Sequence, residues 1–216
     1  MSRSLALAIV LVLLALTGGV LYGVFRTPPP ASGPALTTAP TAPAPAPIPA
    51  ETRAARRAGR RLSLDAALRE LDLIRPGQQK AAQDFTAPLL AGSRFRLREH
   101  RGKVVLLNFW ATWCPPCREE MPAMERLWLQ HRDGGFLLVA VSLDSDPQLV
   151  KPFVTEHRLT FPIALDPKLE VANLYGIRAL PASFIVDRGG RVAALALGPR
   201  AWDNDAAHSL VEELTK

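Results

Sequence analysis

The sequence predicts an α/β domain with a central mixed β-sheet flanked by helices, preceded by an N-terminal transmembrane helix and a proline-rich tether. Three observations predict it. Short apolar runs alternate with capped helical stretches through the second half of the chain. The last two runs are joined by the tight turn Arg188-Gly189-Gly190, which makes a hairpin rather than a crossover. Ahead of them, residues 4–25 carry no charge, and residues 27–50 hold nine prolines in 24 positions.

Residues 1–26 read as a single-pass signal anchor. As a helix, the uncharged stretch 4–25 would reach roughly 33 Å, enough for a bilayer core of about 30 Å. A cleavable leader has a shorter apolar region and a small-x-small cleavage site, and Gly18-Gly19-Val20 is a poor match to one. With the short N-terminal tail in the cytoplasm, the rest of the chain would lie on the far side of the membrane, in a compartment where disulfides persist.

Residues 27–61 form a linker, first Pro/Ala-rich and then Arg-rich. Its first part cannot build a core and favours extended polyproline geometry, with a reach of roughly 75 Å. Arg53, Arg56, Arg57, Arg60 and Arg61 would share one face of a helix. That face suits anionic lipid or an acidic partner, and the same run also reads as a solvated domain edge weakened as a helix by Gly59. Residues 62–77 hold a short helix of uncertain role, marked by Leu64, Leu68 and Leu71 and ended by Pro76-Gly77.

The net charge of +6 is unevenly placed. Residues 1–75 carry nine basic and four acidic side chains, and residues 76–216 carry 17 and 16. The globular part therefore offers no case for nucleic-acid binding.

Within 78–216 the elements follow in order. Residues 103–110, KVVLLNFW, have the continuous apolar character of a buried strand. A helix follows, and Glu120, Met121, Met124, Leu127, Trp128 and His131 fall on one stripe of it. Pro122 inside that helix predicts a kink. Residues 135–143 form a second buried strand. Ser145-Asp146-Pro147-Gln148 reads as a capping box opening a helix to about His157. Asp166-Pro167 opens another, stopped by Gly176. SFIVD and RVAALAL flank the hairpin turn, and Asp203 is the expected cap of a final helix to about Thr215. His157 and His208 show no partner in sequence and read as surface residues.

The chain has two cysteines, Cys114 and Cys117, separated by two prolines at the junction of the first strand and its helix. A staple closing so small a loop adds little stability. A zinc site wants a second ligand pair, and the four histidines are scattered singly. A redox-active dithiol remains. The nucleophile in such chemistry is the thiolate, which unpaired amides and the dipole at a helix N-terminus favour. Cys114 sits there and is the expected exposed attacker, with Cys117 one turn deeper as resolving residue. Pro116 removes an amide donor near the sulfurs, which pushes the couple toward a reductant. Glu120 lies on the apolar stripe one turn below Cys117, where burial would raise its pKa and let it exchange protons with that thiol. Glu119 points away. Trp113 reads as a cover that meets substrate, and Trp110 as core.

WCPPC after a buried strand, DFTAP at 84–88, RGKVVLLNFWATWCPPCREEMP and ALPASFIVD together resemble the thioredoxin superfamily, in its membrane-anchored TlpA/ResA/CcmG-like branch. The resemblance covers about residues 78–216. It implies a thioredoxin-like fold and no cofactor. It also implies a functional acid at Glu120 and a cis-proline at Pro181 packed against the cysteine motif. Such a bond would let the Ala179-Leu180 backbone pair with an extended substrate. Asn108 departs from thioredoxin proper, which carries a buried aspartate there, and Glu120 is the candidate replacement.

The activity implied is that of a protein-disulfide oxidoreductase, anchored by a single pass in a bacterial cytoplasmic (inner) membrane with the catalytic domain in the periplasm or cell exterior. The implied partners are disulfide-containing exported proteins, apocytochrome c among them, with a membrane thiol reductant recycling the site. Other readings are a disulfide-forming oxidant, a peroxidase-like enzyme, whose usual cysteine context CPPC does not match, and a copper-delivery protein using both cysteines with His157.

Overall fold

The computed structural model describes residues 60–78 and 80–216. The anchor, the proline-rich stretch and Arg53–Arg57 lie outside the described residues, among which no helix is long and apolar enough to cross a membrane.

The elements are α1 (Leu64–Glu70), β1 (Thr86–Pro88), β2 (Arg94–Arg96), β3 (Val104–Trp110), α2 (Pro115–His131), β4 (Phe136–Ser142), α3 (Val150–Glu156), β5 (Ile163–Leu165), α4 (Glu170–Leu174), β6 (Ala182–Val186), β7 (Val192–Leu197) and α5 (Asp205–Thr215). The main sheet has the order β5-β4-β3-β6-β7. β3, β4 and β5 run parallel, and β6 and β7 are antiparallel additions on the other side of β3. This is the mixed sheet of a thioredoxin-like fold.

All seven residues of β3 are buried, because the strand is central and covered on both faces. Its side chains divide with the period of two that a strand imposes. Val104, Leu106 and Trp110 join a core with Met121, Met124 and Leu127 of α2, Phe153 of α3 and Leu210 of α5. Val105, Leu107 and Phe109 face a second core built from Phe85, Phe95 and Val171. With Ala67 and Leu68 of α1 in the first core, four helices cover one face, and α4 with the β1–β2 hairpin covers the other. Deleting one such buried leucine side chain costs about 2–5 kcal/mol.

Both margins of the sheet are partly dressed. Ile74 and Ala81 make bridges with Leu195 and Arg191 of the β7 segment, and Leu89 bridges to Ala164 of β5. The turn Asp187–Gly190 closes through Gly190 N–H to Asp187 O at 2.9 Å, with Gly190 at φ 77°, a conformation that costs glycine nothing.

Three helix starts differ from their sequence reading. Asp146, rather than Ser145, is the cap; it accepts from Gln148 N and opens a 3₁₀ turn (Pro147–Leu149) before α3. Asp166 does cap, but its carboxylate reaches Glu170 N and Ala172 N at 2.8 Å, so α4 begins later than the Asp-Pro signal implies. The cap of α5 is Asn204, which accepts from Ala207 N. Asp203 is used elsewhere: Arg126 of α2 donates to one of its oxygens, and His208 Nε2 lies 3.1 Å from the other. Burial acts to raise the Asp203 pKa, but the hydrogen bonds from His208 and Arg126 outweigh it and hold the carboxyl below its usual range. His208 is therefore not a simple surface residue; its Nδ1 lies 2.9 Å from His131 Nε2, joining α5 to α2. Helix α2 continues through Pro122 without ending there.

Candidate active site

Strand β3 delivers the chain to Ala111–Trp113, and α2 begins two residues on. Asp144, 2 % exposed at the end of β4, fixes this loop. It accepts from Thr112 N at 3.1 Å and from Thr112 Oγ1 at 2.6 Å, and Ser142 Oγ donates to it at 2.8 Å.

Cys114 and Cys117 form a disulfide with an S–S distance of 2.10 Å and Cα atoms 5.3 Å apart. Cys114 is the N-cap of α2, with Pro115 and Pro116 in the first two helical positions. The first intrahelical bond runs from Arg118 N to Cys114 O at 3.2 Å. Of the three amide positions ahead of it in the first turn, two are prolines. The Cys117 N–H is the one helical donor left to face the Cys114 sulfur.

The expected exposure of Cys114 is corrected. It is 4 % exposed and Cys117 is fully buried, because in the bridged state both sulfurs are part of the core that contains Ala111 and Met121. Trp113, beside them, is 66 % exposed, whereas Trp110 is buried and packs on Phe153.

Glu120 is 4 % exposed, and its placement on α2 three residues after Cys117 puts both on one helix face. Asn108 Nδ2 donates to Oε1 at 2.8 Å. Arg200 N and Trp202 Nε1 donate to Oε2 at 3.1 and 3.0 Å. Burial raises the Glu120 pKa and outweighs these donors, leaving it at about 7. Asn108, on β3, also donates to Ser183 Oγ of β6 at 3.0 Å. Its Oδ1 is buried and takes no hydrogen bond among the described residues. Glu119 is exposed, as its opposite helix face requires.

The Leu180–Pro181 peptide bond is cis. The pairing of Phe109 with Ala182 sets Pro181 beside the end of β3 from which the cysteine loop departs. Pro181 is buried, Leu180 half-buried and Ala179 exposed. His157 is half-buried rather than a free surface residue, stacked on Phe153 at 4.0 Å with Nδ1 3.0 Å from Phe153 O.

A bridged cysteine pair at a helix N-terminus, over a buried acid, on a sheet of this order, can exchange its disulfide with another thiol pair. The sequence comparisons agree. Residues 78–195 match the sequence model of the AhpC/TSA family.

The chain belongs to the AhpC/TSA family.

Within that family it resembles named thiol-disulfide oxidoreductases. One is the thiol-disulfide oxidoreductase ResA of Bacillus thuringiensis, 38% identical over 119 residues, which are 55% of this chain and 69% of the relative. Among solved structures, a putative thiol:disulfide interchange protein DsbE from Chlorobium tepidum aligns with a TM-score of 0.60 and 34% identity, covering 64% of this chain and 98% of that one. StoA from Bacillus subtilis aligns with a TM-score of 0.50 and 31% identity, over 56% and 92% of the two chains. This AhpC/TSA-family chain is a thiol-disulfide oxidoreductase of the ResA/DsbE/StoA type.

Several residues of the site were not singled out in the sequence. Arg200 and Trp202 sit in a polar loop with no periodic pattern. The signal that could have found them is a tryptophan and an arginine just past a strand end. Ser142 and Asp144 carried a clearer one, a polar pair ending an apolar parallel strand at its carboxyl edge, where α/β sheets place their sites.

Proposed function

We propose that the protein is a membrane-tethered, extracytoplasmic reductant of disulfides in exported proteins, with apocytochrome c before haem attachment as the leading client and a membrane thiol reductant recycling it. The observation that carries the reducing direction is the pair of prolines at the start of α2. They leave one helical amide to stabilise the Cys114 thiolate, and a poorly stabilised thiolate makes a reducing couple. The uncharged stretch 4–25 supports the tethered, extracytoplasmic reading.

In the reduced protein the Cys114 thiolate attacks one sulfur of the client disulfide and expels the other as a thiolate, which takes a proton from solvent. The Cys117 thiol then gives its proton to the Glu120 carboxylate, which suits the task because its pKa is near neutrality. The Cys117 thiolate attacks the Cys114 sulfur and releases the second client thiolate. The client gains two electrons, and the protein ends with the Cys114–Cys117 bridge present here. Trp113 and the Ala179–Pro181 backbone are the surfaces that would receive the client chain.

Trapping tests this directly. A Cys117→Ser chain in its native cell should accumulate mixed disulfides with exported proteins, apocytochrome c among them. A Cys114–Cys117 potential well above thioredoxin's value of about −270 mV would favour the oxidant reading instead.

A further inference from the structure

The cations of the folded domain are not evenly spread. β3 runs away from the 101–103 loop and toward Cys114, a length of about 20 Å. β6 runs the opposite way, so the hairpin turn after it lies at the end remote from the disulfide. That remote end is stitched together by Gly102 N–H to Arg188 O at 2.9 Å, Arg101 Nη1 to Gly189 O at 3.1 Å and Val192 N–H to Lys80 O at 2.9 Å. Lys80, Arg98, Arg101, Lys103, Arg188 and Arg191 are gathered there, all exposed.

Segments 80–84, 96–103 and 187–191 hold seven cations and three acids. The rest of 76–216 holds ten cations and thirteen acids. Two of the three acids are already engaged: Asp84 lies 3.8 and 3.7 Å from the Arg96 and Arg98 guanidinium nitrogens, and Asp187 Oδ1 accepts from Arg191 N. On the adjoining face, acids are matched by neighbours, Asp133 by Arg132, Glu213 by Lys216 and Glu212 by Arg61. Burial first, and the Lys103 ammonium next, hold His100 below its ordinary pKa, which leaves it neutral in this field.

The described chain also enters at this end. Arg61 pairs with Glu212 near the end of α5, and Arg188 Nη1 lies 3.5 Å from Thr215 O in the same helix end. The arginines at 53, 56 and 57 stand immediately upstream in sequence.

We propose that this basic pole docks on an anionic lipid surface and holds the domain with its redox end pointing away from the bilayer. The inference rests on the tethered reading above. Lipid is the occupant favoured over an acidic protein because the cations form the end of the domain into which the chain enters from its apolar N-terminal segment. A chain tethered there meets headgroups at high effective concentration.

The test uses the full chain in lipid nanodiscs of phosphatidylcholine alone or with 30 % phosphatidylglycerol, and reads amine acylation by mass spectrometry. Lys80 and Lys103 should react several-fold more slowly in the anionic discs. Lys151 and Lys168 follow the carboxyl ends of β4 and β5, at the redox end, and should react equally in both. The protection should vanish in 0.5 M NaCl, and in an Arg101→Glu/Arg188→Glu/Arg191→Glu chain whose exchange rate with dithiothreitol is unchanged. Equal reactivity of Lys80 and Lys103 in the two lipids, in protein that has entered the discs, overturns the inference and leaves the tether standing. Protein that fails to enter either disc overturns both.

Discussion

Trp202 donates its indole N–H to the Glu120 carboxylate at 3.0 Å, across 82 residues of sequence. The contact ties the loop after β7 to the second turn of α2, directly behind the cysteine pair. With Asn108 and Arg200 N it makes a three-donor cradle around one acid. Burial still wins over the cradle, and Glu120 titrates near neutrality.

The stability of the oxidised protein should follow that titration. A carboxyl whose pKa rises from 4.5 unfolded to about 7 folded binds more protons in the folded state over that interval. Its contribution is full below about pH 4.5 and is lost as pH rises through 7, on the order of 3 kcal/mol in all. Glu120→Gln should remove this loss, since its amide stays neutral and Asn108 can turn its free Oδ1 toward the new NH₂. Chemical denaturation of both proteins at pH 5 and 8 measures it, and equal pH dependence in the two would refute the assignment.

Trp202→Phe keeps most of the buried volume and removes one donor. The lost hydrogen bond favoured the charged form, so the Glu120 pKa should rise further. The inflection that Glu120 should give the exchange rate near pH 7 should move upward by about a unit, and stability at pH 8 should fall by about 1–3 kcal/mol, with a smaller loss at pH 5. Stopped-flow exchange across pH 5–9 checks the shift.

Pro116→Ala restores an amide in the first turn of α2 without altering the cysteine spacing. A hydrogen bond to a charged group contributes about 1.5–3 kcal/mol. At 1.4 kcal/mol per 30 mV, the couple should become more oxidising by about 30–60 mV. Equilibration against glutathione buffers gives the number. A potential unchanged or lowered would show that the amide does not reach the sulfur.

Arg200→Met separates two roles of one residue. The side chain donates to Leu71 O at 2.7 Å and to Asp72 O at 2.9 Å, which fastens the end of α1 to the domain. The main-chain N–H that reaches Glu120 remains. The variant should lose about 1–3 kcal/mol and the amide-exchange protection of Leu71 and Leu73, while the exchange profile moves only slightly upward in pH, since the Arg200 charge is the weakest influence holding the Glu120 pKa down.

The strand–cysteine–helix unit was legible because its signals are local. β3 is apolar at nearly every position, since both faces are covered, and α2 shows its buried stripe at helical spacing. Glu120 stood out as an acid on that stripe. Its cradle did not, because Arg200 and Trp202 reach it from another part of the chain. The β1–β2 hairpin was missed for a related reason: three-residue strands with one buried position each leave no periodic trace. Asp203 has the local look of a cap, an acid before a helix, yet Arg126 and His208 hold it and Asn204 caps instead. Local pattern located the elements; partners distant in sequence set what the polar side chains do.

The bridges that Ile74 and Ala81 make along β7, and Leu89 along β5, bear on the clients proposed for this protein. An oxidoreductase that handles polypeptides before they fold is surrounded by extended chains seeking backbone partners. Bare flanks on its sheet would recruit them into stacked assemblies. Interrupting those flanks with short runs of its own main chain leaves an incoming peptide less to zip onto away from the surface beside Trp113 and the cis-proline, where a bound chain can be turned over and let go.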